Sequence, residues 1–146
     1  MNLDEFVDQF QQKSGMSPLQ FSDEGVISFI FNGEFTASIE KSDNDTLVTI
    51  HAKIGDLPTE NQESCMKALL EANLFGQKTG GASIGMDAST NEVYLFRTFA
   101  LHTLEIDYFF DALTSFMQTQ QQWTLALQNN TYLPKQEKTA EPKLYL

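Results

Sequence analysis

The feature that most limits the fold of this chain is an Asn32-Gly33 pair between two runs of strand-forming residues. Both residue types tolerate positive φ angles, so Asn-Gly between such runs is a strong signal for a tight antiparallel hairpin. Residues 26–31 before the pair are β-branched and aromatic, and residues 35–40 after it alternate apolar and polar side chains. The sequence therefore predicts an antiparallel hairpin in the first third of the chain.

Three further strands are predicted by the same criteria. Residues 47–54 alternate apolar and polar side chains, and they follow a Ser-Asp-Asn-Asp turn. Residues 83–87 and 92–101 flank an Ala-Ser-Thr-Asn turn and predict a second hairpin. A mostly antiparallel sheet is the simplest arrangement of these strands.

Three amphipathic helices are predicted from apolar residues spaced three and four positions apart. The first begins at Leu3 and ends before Gly15, and the second runs from about Thr59 to about Phe75, where Gly76 stops it. The third begins near Leu104 or Asp107 and can continue to Leu127. Thr59 and Gln62 have the spacing of a capping box. The element order is α-β-β-β-α-β-β-α, which is typical of an α+β domain with its sheet packed against helices.

Two of these elements are apolar on more than one side. In the first strand, Ile27, Phe29 and Phe31 share one face, whereas Val26 and Ile30 share the other. Helices of the same domain could cover both faces, or a partner protein could cover one of them. The second helix carries two apolar stripes, and a subunit contact is a plausible second cover for it.

The charge of the chain excludes several classes of partner. The net charge is −11 over 146 residues, whereas binding to nucleic acid or to an anionic membrane requires a surplus of Lys and Arg. The N-terminus lacks the basic and apolar regions of a signal peptide, and no window reaches the roughly 18 apolar residues of a membrane helix. The lone Cys65 fits a reducing compartment. We therefore expect a cytoplasmic protein with no nucleic-acid partner and no membrane insertion.

The residues that could perform chemistry form no strong catalytic or metal-binding motif. His51, His102 and Cys65 lack zinc-site spacings, and residues 76–81 lack the glycine pattern of a phosphate loop. No metal and no cofactor are predicted. Cys65 with His51 could serve a small enzyme as nucleophile and base, but the apolar neighbours of Cys65 favour a buried thiol. Binding is therefore the better class of function.

The length and composition predict one domain and a tail. Residues 1–128 are a normal length for a single domain that buries a core without disulfides or metal. From residue 129 the sequence turns to Asn, Gln, Lys, Glu and Pro. So little apolar surface predicts a polar, flexible C-terminal tail over residues 129–146.

Several short segments, taken in order, resemble a known family. Residues 69–73 read Leu-Leu-Glu-Ala-Asn, residues 83–87 read Ser-Ile-Gly-Met-Asp, and Leu57-Pro58 precedes the second helix. The closing helix has the pattern Leu104, Phe109 or Phe110, Leu113, Phe116 and Trp123. Over residues 3–128 the chain thus resembles the class I type III secretion chaperones, small acidic homodimers related to the Tir chaperone. In that family the second helix ends in LLxAN and a short strand ends in Asp.

The resemblance implies a fold, a dimer and a client. Members have the α-β-β-β-α-β-β-α fold and dimerise through the second helix and the strand after it. The corresponding residues here are Leu69, Leu70, Asn73, Leu74, Ile84 and Met86. Members bind the N-terminal segment of a secreted effector in extended form, without ATP, on apolar patches near the first helix and the first strands. The corresponding candidates here are Phe6, Phe10, Ile27, Phe29, Phe31, Phe35 and Ile39.

Three alternatives to this chaperone remain open at the level of sequence. A protein of the same fold could sequester a protein partner that controls expression of secretion genes. A small enzyme could use Cys65 and His51, and a purely structural dimer would have no client.

Overall fold

The computed structural model describes residues 1–132, and the part of the predicted tail from residue 133 to residue 146 lies outside the described residues. Within residues 1–132 the helices are α1 (Leu3–Ser14), α2 (Gln62–Asn73) and α3 (Ile106–Asn129). The strands are β1 (Val26–Phe31), β2 (Phe35–Lys41), β3 (Leu47–Asp56), β4 (Ser83–Asp87) and β5 (Glu92–Ala100). The predicted α+β class and the predicted element order are confirmed.

The five strands form one sheet in the order β1-β2-β3-β5-β4, and every neighbouring pair is antiparallel. In the first hairpin Phe31 pairs with Phe35, which leaves residues 32–34 as the loop. Asn32 has φ 50° and Gly33 has φ 77°, so the Asn-Gly pair supplies the left-handed conformations of the turn. The hairpin prediction is therefore confirmed, with a loop of three residues.

The core lies between the helices and one face of the sheet. In β3, Val48, Ile50 and Ala52 are buried, whereas the alternating side chains such as Thr49 and Lys53 lie on the opposite face and are more exposed. Aromatic side chains fill the centre of the core, with ring centroids 5.0 Å apart for Phe6 and Phe109 and 5.3 Å apart for Phe99 and Phe109. Among the described residues, the helices cover one face of the sheet and leave the other open.

The ends of α2 differ from the sequence prediction. The expected capping box of Thr59 and Gln62 is wrong, because α2 begins at Gln62 and its N-cap residue is Asn61. Asn61 has φ 58° and makes no side-chain capping hydrogen bond. At the other end α2 stops at Asn73, and a short 3-10 turn, Leu74–Gly76, replaces the last predicted helical turn.

Candidate binding surfaces

An apolar groove of about 230 Å³ lies between α2 and β4. Its lining residues are Met66, Leu69, Leu70, Asn73, Ile84, Gly85 and Met86. Leu69 and Ile84 are buried in its floor, whereas the side chain of Leu70 is 71% exposed and that of Met86 is 44% exposed. The structure thus places five of the six predicted dimer residues together in one groove. The sixth, Leu74, is exposed in the turn directly after α2.

Asn73 joins the two walls of this groove. Its Nδ2 donates to the carbonyl oxygen of Ile84 at 2.9 Å, and the backbone N–H of Ile84 donates to its Oδ1 at 2.7 Å. The two hydrogen bonds connect the last residue of α2 with β4, so the side chain fixes the spacing of helix and strand. The Asn at the end of the Leu-Leu-Glu-Ala-Asn segment therefore has a structural role, which is to hold β4 against α2.

An exposed aromatic residue beside the groove was missed by the sequence reasoning. Phe75 is 86% exposed and has φ 56°, an uncommon backbone conformation for a bulky residue. The helical spacing made Phe75 the last residue of the second helix, so the only available signal was its position directly before Gly76. With Leu74 it adds apolar surface directly after α2.

The predicted client-binding residues fall into two groups. Phe6, Phe10 and Ile39 are completely buried, and Ile27 is nearly so. Phe10 packs against Phe110 with ring centroids 5.1 Å apart. These four side chains lie in the core, so a client could reach them only if the helices moved.

The other three predicted residues form a row of half-buried aromatic rings at one end of the sheet. The ring centroids are 6.4 Å apart for Phe29 and Phe31 and 5.5 Å apart for Phe31 and Phe35. On the open face of β1, Ile30 is 70% exposed. Because β1 is the terminal strand, its outer edge has no pairing partner among the described residues. The aromatic row and Ile30 together are called the β1 surface below.

A second accessible apolar region runs along α1. Leu3, Val7, Leu19 and Phe21 line a groove of about 460 Å³ together with two aspartates and Gln20. Leu3 and Val7 belong to the same helical stripe as the two buried phenylalanines, but they are only partly buried. Periodicity identified this stripe correctly, but it could not separate the residues facing α3 from those facing this groove.

The structure does not bring Cys65 and His51 together. Cys65 is completely buried on the helix side of the sheet, and burial raises the pKa of its thiol. His51 alternates in β3 with the buried Ile50 and Ala52, so it lies on the open face, where its Nε2 is 3.3 Å from Glu40. The sheet separates the nucleophile from the base of the proposed enzyme.

Two other kinds of site are absent from the described residues. None of the helices described has both the length and the hydropathy of a membrane span. Over the same residues no three His, Cys, Asp or Glu side chains stand close enough to share a metal ion.

The fold and its surfaces define a class of protein: an α+β domain with an apolar groove at one edge of its sheet and an exposed apolar strand at the other. Residues 5–124 match the family model of the Tir chaperone protein (CesT) family. The match covers most of the chain, and the protein belongs to this family of chaperones. A search of curated proteins gave no match.

Solved structures share this fold at low sequence identity. A chain of the HopA1-SchA chaperone-effector complex is 16% identical with a TM-score of 0.69, over 84% of this chain and 93% of that one. A chain of the ExsC-ExsE complex is 17% identical with a TM-score of 0.69, over 87% of this chain and 97% of that one. A chain of the Yersinia pestis type III secretion chaperone SycH in complex with a fragment of YscM2 is 13% identical with a TM-score of 0.64. The match covers 82% of this chain and 97% of that one. At these identities the likeness shows the fold.

Proposed function

We propose that this protein is a type III secretion chaperone of the bacterial cytoplasm. As a homodimer it binds the N-terminal segment of a secreted effector in extended form, and it keeps the segment soluble and competent for secretion without ATP. The observation that carries the proposal is the match of residues 5–124 to the Tir chaperone family. Similar structures that are chaperone complexes, such as HopA1-SchA and SycH with its YscM2 fragment, support it.

The proposed dimer forms through the groove between α2 and β4. Leu70 and Met86 expose large apolar side chains there, and Leu74 exposes another directly after α2, although the rest of the surface of this acidic chain is rich in carboxylates. A two-fold axis through the groove would bring this apolar surface against the same surface of the second copy. Burial of these side chains is the main favourable term in such an association.

The proposed client site is the β1 surface. The free edge of β1 offers main-chain donors and acceptors to an extended segment, which can add to the sheet as another strand. Ile30 and the aromatic row then offer contacts to alternating side chains of that segment. The four predicted residues that lie in the core are not part of this proposed surface.

The net charge of −11 has a role in this proposal. Self-repulsion keeps a protein with exposed apolar surfaces soluble. The same charge favours client segments with a basic net charge, and added salt would weaken their binding by screening.

The experiment is a pull-down of the tagged full chain from its native host, followed by mass spectrometry of the bound proteins and light scattering of the purified chain. The proposal predicts a dimer that recovers a secreted protein. A monomer that recovers no secreted protein would overturn it. Recovery of a regulator of secretion genes would instead support the partner-sequestering alternative.

A pair of variants tests the β1 surface in the same assay. Ile30→Ser removes the most exposed large apolar side chain of β1, and we expect it to reduce recovery of the secreted protein. Leu125→Ser is the matched control, because Leu125 is 48% exposed on α3 and belongs to none of the surfaces above. Equal recovery by both variants would show that the client does not depend on Ile30.

A further inference from the structure

The strands β2 and β3 pair over only part of their lengths. Their ladder runs from Lys41 opposite Val48 to Ser38 opposite His51, and it stops there. Beyond this point residues 35–37 of β2 pair only with β1, and residues 52–56 of β3 pair only with β5. Each strand therefore keeps one free side that faces the other strand. The opening between them is a cleft of about 820 Å³, which lies within the roughly 300–1,000 Å³ of ordinary binding clefts.

Local features of β3 and α3 account for this opening. The register of β3 against β5 shifts between Lys53 and Gly55, which marks a β-bulge, and bulges bend the strand that carries them. Gly55 passes so close to α3 that a Cβ atom there would lie 3.0 Å from Cδ1 of Leu127. The end of β3 thus rests on α3, and Gln120, Thr124 and Leu127 line the cleft from the helix side.

One buried side-chain acceptor in the cleft, on Gln120, has no hydrogen-bond partner. Nε2 of Gln120 donates to the carbonyl oxygen of Thr36 at 2.8 Å, in place of a donor from a neighbouring strand. Its Oε1 accepts no hydrogen bond, although Gln120 is only 2% exposed. Within residues 1–132, the one other buried side-chain polar atom without a hydrogen bond is Nε2 of His51, which lies 3.3 Å from Oε2 of Glu40 on the open face of the sheet. Both side chains line this cleft.

We propose that this cleft receives an extended segment of the client, which adds as a strand to the free side of residues 52–56 of β3. The inference rests on the proposed chaperone function and assigns a second docking site to it. Free main-chain groups at strand spacing select a peptide backbone over other ligands. Oε1 of Gln120, which accepts no hydrogen bond in the free protein, is an acceptor at this site that a donor of the added strand would satisfy.

The position and charge of the cleft fit the same client. Phe35 belongs both to the aromatic row of the β1 surface and to the lining of the cleft, so one continuous segment can occupy both. The charged lining residues are Glu34, Asp56 and Lys53, and Nζ of Lys53 is already held by Asp56 at 3.2 Å and by Glu92 at 3.0 Å. The lining therefore favours a segment that is neutral or basic.

Two threonines of α3 provide a matched test of this site. Thr124 lines the cleft, whereas Thr114 is exposed elsewhere on α3, and each donates its hydroxyl to the carbonyl oxygen four residues earlier. The variants Thr124→Trp and Thr114→Trp therefore add the same bulk to the same helix, inside and outside the cleft. The probe is a recombinant N-terminal segment of the secreted protein recovered in the pull-down, titrated against the full chain.

Thr124→Trp should weaken binding of this segment by about tenfold or more, and Thr114→Trp should leave it unchanged. Hydrogen exchange on the wild-type complex should show new protection of amides in residues 52–56. A complex that forms without this protection, and that tolerates Thr124→Trp, would overturn the cleft site and leave the chaperone function standing. Failure of the wild-type chain to bind any secreted protein would instead remove the proposed function itself.

Discussion

Substitution of Leu70 by Asp tests the proposed dimer most severely, because Leu70 contributes the most exposed side chain of the groove between α2 and β4. In a two-fold dimer the substitution acts twice. The side chain is 71% exposed in the single chain, and complete burial of a leucine is worth about 2 kcal/mol. The loss of two such side chains costs about 4 kcal/mol, which weakens the dimer by nearly three powers of ten in the dissociation constant. Burial of two unpaired carboxylates would add to this cost.

The assay is sedimentation equilibrium of the wild-type chain, Leu70→Asp and the control Leu125→Asp over a range of concentrations. We expect the first substitution to give a monomer and the control to remain a dimer, because Leu125 lies on α3 outside the groove. The far-ultraviolet circular dichroism of the monomer should remain that of the folded chain, since Leu70 contributes little to the core of the protomer. A Leu70→Asp variant that dimerises as tightly as the wild type would refute the location of the interface.

Three further predictions follow from side chains that the structure buries or ties down. Phe6→Ala should lower the free energy of unfolding by about 3–5 kcal/mol in urea titrations, because the ring is completely buried against Phe109. Asn73→Ala should lower the thermal unfolding midpoint and weaken the dimer, because it removes both hydrogen bonds to Ile84. Cys65 should react with a disulfide reagent far more slowly in the native protein than in denaturant at the same pH, because burial raises the thiol pKa and blocks access.

Each of these expectations can be contradicted. A Phe6→Ala variant that keeps normal stability but no longer binds its client would show that Phe6 contacts the client and contributes little to the core. Unchanged stability and dimerisation of Asn73→Ala would mean that the two hydrogen bonds do not hold the groove together. Rapid modification of Cys65 in the native chain would show that the thiol is accessible, and it would reopen the question of a catalytic role.

The elements of the sheet could be predicted from the sequence because their patterns are local. Alternation in residues 47–54 requires one buried face, and the Asn-Gly turn joins its two strands directly. The beginning of α2 was missed for a physical reason. Thr59 and Gln62 have capping-box spacing, but Asn61 adopts a left-handed conformation between them, and no pattern in the sequence reports that backbone angle.

Part of the binding surface could not be predicted, because an apolar residue does not reveal what covers it. Phe6 and Phe10 were interpreted as client contacts, yet the phenylalanines of α3 meet them in the core. The cleft between β2 and β3 could not be predicted from the sequence either. The alternation of apolar and polar residues in both strands continues past Ser38 and His51, the last residues that pair. Such features depend on how far strands diverge and which helix faces them, and both are set by contacts between distant parts of the chain.

The measurement that tests the central claim most directly is native mass spectrometry of the complex that the full chain forms with its captured protein. The account predicts two copies of this chain bound to one copy of a secreted protein, with no nucleotide in the complex. A single copy of the chain, or a dimer that carries no protein after expression in the native host, would contradict the proposal that this protein is an effector-binding chaperone.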